Sequence, residues 1–354
     1  MTKKPQALVL VGLCLGFSWP TFGNLEKADL YEAVLAAPTR QADERQQLFQ
    51  DGLEIVLKRI SGDSELLKNK EIISALESSG QYVEKFGYYG GQSLFVRYNP
   101  NTVNELVLEA NQPIWGQKRP TVLLWLAISE DSLDRRIIGA ESDPKMQVDI
   151  KRYASELGLP LVLPIMDLTD MRQVNASDVW GEFPSVLHRA SKRYDADVIV
   201  VAKIQKNHND VWASQWQFMV DDYVQKWDWT SEERDSAIQE GVSQLARHLL
   251  QRYGLKKGQQ TLGSILVGVQ DIASISDFAK AEAYLNSLEQ LDVVNVKEVT
   301  NQGVIFEVTT MGHGDPEILS QVISMDNKLV TLADKDRIVE NTDLTYRLVE
   351  SLQR

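Results

Sequence analysis

Cysteine, histidine and basic charge are all scarce in this 354-residue chain. Its one cysteine, Cys14, excludes an intramolecular disulfide framework, a Cys-rich zinc site and a two-cysteine redox motif. The four histidines, His188, His208, His248 and His313, include no two at a metal-ligand spacing, so no metal is expected. With 37 Lys+Arg against 50 Asp+Glu the formal charge is -13. Nonspecific nucleic-acid affinity comes from clustered Lys and Arg displacing counterions, so nucleic acid is not an expected partner. Walker, G-x-S-x-G, H-E-x-x-H and dinucleotide-binding motifs are missing too, and no cofactor is expected. No apolar run reaches the roughly 20 residues that a transmembrane helix needs.

What is there begins at the amino terminus. Lys3 and Lys4 precede an apolar run, Ala7–Phe17, and then a polar, Pro-containing stretch, Ser18–Gly23. That is the layout of a cleavable signal peptide over residues 1–23, with the cut expected after Gly23. Cys14 follows Leu13, where a lipidation signal wants Gly or Ala.

The remainder divides into three expected domains, 24–116, 117–255 and 262–354. In the first, Phe49, Leu53, Val56, Leu57 and Ile60 share one helical face ahead of Gly62, a helix stop. Gln81–Tyr98 reads as two strands about Gly90-Gly91, and a helix follows over Asn101–Ala110. The second domain alternates strands (Thr121–Ile128, Leu161–Met166, Asp197–Ile204) with helices, one opened by Asp143-Pro144 and one burying Phe183, Val186, Leu187, Ala190 and Tyr194. Pro164 marks the second strand as an edge or a bulge. A hairpin, Val211–Val220 and Tyr223–Trp229, turns at Asp221-Asp222, and a last helix starts at Thr230, with Glu233 completing a capping box. The βαβαβββα order predicts a partly parallel sheet extended by an antiparallel hairpin. After a polar linker the third domain reads βαββαβ, the ferredoxin-like split motif. The expected class is α/β (α+β), with small mixed sheets and packed helices.

Two constellations are candidates for function. Asp167, Asp170, Asp178 and Glu182 gather after the second strand of the middle domain, where open α/β sheets place sites. They are either an acid/base or metal-binding group, or ordinary loop and helix-cap acids. The hairpin is the second. Its two-residue turn puts Trp216 opposite Trp227, and alternation places Trp212, Trp216, Phe218, Tyr223, Trp227 and Trp229 on one face. That face either packs on the final helix or forms an exposed platform for a glycan or a partner protein.

The stretches Leu25–Tyr31 (LEKADLY), Leu57–Gly62 (LKRISG), Trp115-Gly116 with Arg119-Pro120, Val179–Gly181 (VWG) and Ala190–Tyr194 (ASKRY), with Trp212 and Trp216, resemble a family of exported gammaproteobacterial proteins catalogued as domain of unknown function 2066. That resemblance implies export to the periplasm and brings no activity. More loosely, the middle domain is similar to the amino-terminal domain of the Tol translocation protein, to lipoprotein activators of penicillin-binding proteins and to the curli secretion lipoprotein, which bind proteins. The sequence therefore points to a soluble periplasmic binding or assembly module of the cell envelope, with an envelope protein as partner and Trp212, Trp216, Trp227 and Trp229 as its contact face. The alternative is an envelope-glycan hydrolase or glycan-binding protein that uses the four acids and the tryptophans. A third reading has the chain bridge two larger components through its carboxyl-terminal domain.

Overall fold

The computed structural model describes residues 30–90, 92–130, 134–140, 143–221, 223–256, 264–310, 315–333, 336–339 and 341–349. The expected signal segment, His313 and Asp222 lie outside them. Strands β1 (Glu32–Ala36), β2 (Val83–Tyr89) and β3 (Ser93–Tyr98) form an antiparallel sheet in the order β1-β3-β2. Helix α1 (Ala42–Ser61) covers one face of this sheet, with α2 (Lys70–Glu77) and α3 (Pro100–Glu109) beside it. Leu53, Val56, Leu57 and Ile60 of α1 are fully buried against Leu94, Val96 and Tyr98. Helix α1 stops as its sequence dictates, because Gly62 adopts a left-handed backbone at φ 58°.

The middle domain is built on β4 (Val122–Ser129), buried at every position, as an interior strand covered on both faces must be. Chain order continues with β5 (Arg135–Ile138), α4 (Pro144–Glu156), β6 (Leu161–Val162), α5 (Leu168–Gln173), α6 (Ala176–Trp180), α7 (Pro184–Ser191), β7 (Val198–Lys206), β8 (Trp212–Val220), β9 (Tyr223–Ser231) and α8 (Arg234–Tyr253). The sheet order is β5-β4-β7-β8-β9; β4 pairs in parallel with β7 and with the short β6, and the rest is antiparallel. Asp143 caps α4 by accepting from the Met146 amide, with Pro144 in the first turn.

Three local expectations are corrected here. The strand expected over Leu161–Met166 ends at Val162, two residues ahead of Pro164, which cannot donate to a ladder. The segment that holds the acids carries two short helices, α5 and α6. Thr230 stays in β9, so the capping box of Thr230 with Glu233 does not form and α8 begins at Arg234.

The carboxyl-terminal domain contains β10 (Ile265–Gln270), α9 (Ile275–Asn286), β11 (Leu291–Val299), β12 (Gly303–Thr310), α10 (Pro316–Ser324), β13 (Leu329–Thr331) and β14 (Leu344–Leu348). Its sheet order is β11-β12-β10-β14-β13. The split βαββαβ arrangement is present with an addition: β14 enters between β10 and β13, parallel to β10. One continuous apolar core runs through the middle and carboxyl-terminal domains, while the first domain has its own. The third core, on the opposite face of the middle sheet, holds Trp125, whose Nε1 donates to Ser191 Oγ at 2.9 Å.

The first and middle domains are joined around Arg119. Its buried guanidinium donates to the carbonyls of Arg59 at the end of α1, of Trp115 and Gly116, and of Gly158 after α4, and stacks on the Trp115 ring. Carbonyls at helix ends are orphaned acceptors, and one planar fork satisfies several at once.

Candidate functional site

Each of the four acids singled out by sequence is held by a structural partner. Asp167 caps α5 by accepting from the amides of Thr169 and Asp170. Arg193 Nη1 and Nη2 grip both its oxygens at 2.7 and 3.0 Å, and this hydrogen bonding holds the Asp167 carboxyl well below the usual carboxylate range. Asp170 is fully buried and accepts from Arg193 Nη1 at 2.9 Å, from the Met166 amide at 2.9 Å and from the Tyr194 hydroxyl. The two aspartates therefore do meet, on one arginine. Asp178 completes a capping box with Asn175 at the start of α6. Glu182 sits apart from the others, between Lys203 Nζ at 2.6 Å and Lys226 Nζ at 2.8 Å. Burial works against its charge, but the two lysines outweigh it and keep its pKa below the ordinary value.

A general acid needs a carboxyl whose proton is retained to higher pH, and Asp167 and Glu182 are shifted the other way. Among the described residues no group of three or more His, Cys, Asp and Glu side chains could hold a metal ion. The sequence signal that Arg193 and Lys203 are the partners was present only as the basic residues of the helix and strand that follow.

The hairpin has the register that its turn dictates: Val220 faces Tyr223, Phe218 faces Gln225 and Trp216 faces Trp227. Its aromatic face is core. Trp216 is 2% exposed, Trp212 and Phe218 are buried, and α8 packs across them. The Trp216 and Trp227 rings are stacked, 6.1 Å apart at 15°, and His248 of α8 lies 5.1 Å from Trp227. The platform of Trp212, Trp216, Trp227 and Trp229 is thus corrected to a single outward ring, Trp229, at 42% exposure. The reason is a groove in α8. Gly241 has no side chain there, and a Cβ on it would lie 2.0 Å from Trp216 Cε2, so the indole occupies the space a larger residue would fill.

An apolar surface that sequence reading missed lies on the first sheet. Leu94, Val96 and Tyr98 point into the core, so alternation turns Ser93, Phe95 and Arg97 outward. Val34 pairs with Phe95 in register and is 69% exposed. Tyr89, 62% exposed, meets the Phe95 ring edge-on at 6.0 Å. Arg97 joins Glu32 at 2.7 Å and Glu84 at 3.2 Å as a polar margin. No described helix packs on this face; α1 lies on the opposite one. The signal was the alternation of Ser93-Leu94-Phe95-Val96-Arg97, which marks a strand with two different environments.

Among the described residues, no helix is long and apolar enough to cross a membrane. No curated protein matches the chain. A solved structure described as that of an uncharacterized protein is 9% identical, covers 39% of this chain and 95% of its own, and has a TM-score of 0.16, too low to bear on the fold. Residues 25–116, the segment that carries the open sheet face, match the family model described as domain of unknown function 8605, so this part of the chain is similar to an uncharacterised family.

Proposed function

We propose that this protein is a non-catalytic binding or assembly module of the bacterial cell envelope, exported to the periplasm. The observation that carries the binding role is the outer face of the first sheet, left without a cover among the described residues, where Val34, Phe95 and Tyr89 form an apolar patch edged by the Glu32–Arg97–Glu84 ion pairs. Exposed apolar patches with polar margins are characteristic of protein interfaces. Export rests on the layout of residues 1–23 and on the resemblance to domain of unknown function 2066, which the match over residues 25–116 neither repeats nor contradicts. The partner in this reading is an envelope protein that offers an apolar surface of its own. The engagement of Asp167, Asp170, Asp178 and Glu182 in ion pairs and caps leaves the hydrolase alternative without a supporting observation.

The test is in-cell crosslinking and affinity capture of the full-length gene product, with sequencing of the mature amino terminus. A discrete envelope protein that is captured by wild type and lost in a Val34→Asp, Tyr89→Ala variant of unchanged melting temperature supports the proposal. Equal capture by both forms refutes the assigned face, and an uncleaved cytoplasmic chain refutes the location.

A further inference from the structure

Among the described residues strand β9 is the free edge of the middle sheet, and of the devices that ordinarily blunt such an edge it carries charged side chains, Lys226 and Asp228, but neither a bulge nor a proline. Its nine residues pair with β8 without a register shift, and it contains neither proline nor glycine. The other long edge strand, β11, is broken by irregularities at Leu291/Val293 and Val296/Glu298. Bulges of that kind protect an edge against pairing, and β9 has none. In a two-residue hairpin the pair next to the turn, Val220 with Tyr223, is hydrogen-bonded. Odd-numbered residues of β9 therefore address β8, and the backbone groups of Val224, Lys226, Asp228 and Thr230 face outward. Of these, the Lys226 carbonyl accepts from Gln225 Nε2 at 3.2 Å.

We propose that β9 is the seat of a symmetric dimer, pairing antiparallel with β9 of a second copy of this chain about a twofold axis at Trp227. The charge pattern selects both the occupant and the register. With Trp227 on the axis, Tyr223 to Ser231 overlaps the second copy's strand along its full length. Lys226 then faces Asp228 of the second copy, and Asp228 faces its Lys226. Sliding the pair by two residues in one direction sets Lys226 against its own copy, and in the other direction Asp228 against its own. Like charges directly opposite one another destabilise a strand pair, so of these three registers only the centred one is complementary. Asp228 has no ion-pair partner among the described residues, and Lys226 shares Glu182 with Lys203, which remains to neutralise it. Val224, 48% exposed, would face Thr230, and the outward ring of Trp229 would be covered by Gln225 of the second copy. The pairing adds about eight backbone hydrogen bonds and joins two sheets into one, an isologous contact that closes on itself.

Sedimentation velocity of the full chain across a concentration series tests this, with Lys226→Asp, Asp228→Lys and the double charge swap compared at matched melting temperature. Wild type is expected to dimerise reversibly. Each single reversal should raise the dissociation constant by about tenfold or more, and the swap should restore it, because both pairs reform with opposite sense. A strictly monomeric wild type, a dimer insensitive to the single reversals, or a swap that stays dissociated would overturn the proposal.

Discussion

Gly241→Ala should destabilise this protein although the same change stabilises most helices. Replacing a helix-interior glycine by alanine is worth about 1 kcal/mol of propensity. At Gly241, however, the new Cβ would approach Trp216 Cε2, Cζ2 and Nε1 to 2.0, 2.2 and 2.4 Å. The indole cannot retreat, since it is 2% exposed and stacked on Trp227. Overpacking of this kind costs about 1–3 kcal/mol, and so close an approach to a confined ring belongs at the upper end. The net expectation is a loss of about 2 kcal/mol, or roughly 4–8 °C in melting temperature for a cooperative unit the size of the middle domain. Trp216→Ala alone should cost about 3–5 kcal/mol through the cavity it leaves. On that background Gly241→Ala should change sign and recover about 1 kcal/mol, a coupling of about 3 kcal/mol between two residues in contact. Urea unfolding followed by far-ultraviolet circular dichroism on the four proteins measures all the terms. A higher midpoint for Gly241→Ala in the wild-type background would refute the packing argument, as would a loss below about 1 kcal/mol for Trp216→Ala.

Three further outcomes follow from other parts of the fold. Trp229→Ala, removing a ring that is 42% exposed, should lower the urea midpoint far less than Trp216→Ala; equal losses would show that both rings are core. Arg193→Leu should lower the melting temperature more than Asp167→Asn does, because it strips the fully buried Asp170 of its cation, whereas Asp167 is near the surface; the reverse order would mean that Asp170 does not depend on Arg193. Asp197 accepts from the Thr121 amide at 2.7 Å, and burial, with Asp195 adding repulsion, pushes its pKa up from 3.8 to about 6. Its neutral form is thus favoured in the native state, so its contribution is complete below about pH 4, declines as pH rises to about 6 and is lost above that. Midpoints of wild type and Asp197→Asn measured from pH 4 to 7 should diverge in favour of the asparagine; parallel profiles would contradict the shift.

Local order was legible wherever one residue sets a boundary. Gly62 ends α1, Asp143 with Pro144 opens α4, and the turn after Val220 fixes the hairpin register, because left-handed backbone, missing amides and two-residue turns are constraints over a few residues. The failures share a cause as well. Among the described residues strand β5 pairs with β4 alone, and Thr230 is drawn into β9 by its partner Ala213, overriding a capping signature. Strand β14 takes its place beside β10, far earlier in the chain, so no local pattern announces it.

The candidate site divides along the same line. By itself the sequence determined which residue types exist to act: almost no thiol or imidazole, a negative balance, six aromatic side chains on one hairpin face, and acids after a strand. Tertiary structure decided what each is free to do. A side chain is available to a ligand only if no nearer partner claims it, and those partners come from other segments: Gly241 makes room for Trp216, Arg193 binds Asp167 and Asp170, and Lys203 and Lys226 bind Glu182. The exposed face of Val34, Phe95 and Tyr89 emerges from the same assembly, since only the folded sheet brings three separate strands to one surface and leaves it without a cover among the described residues.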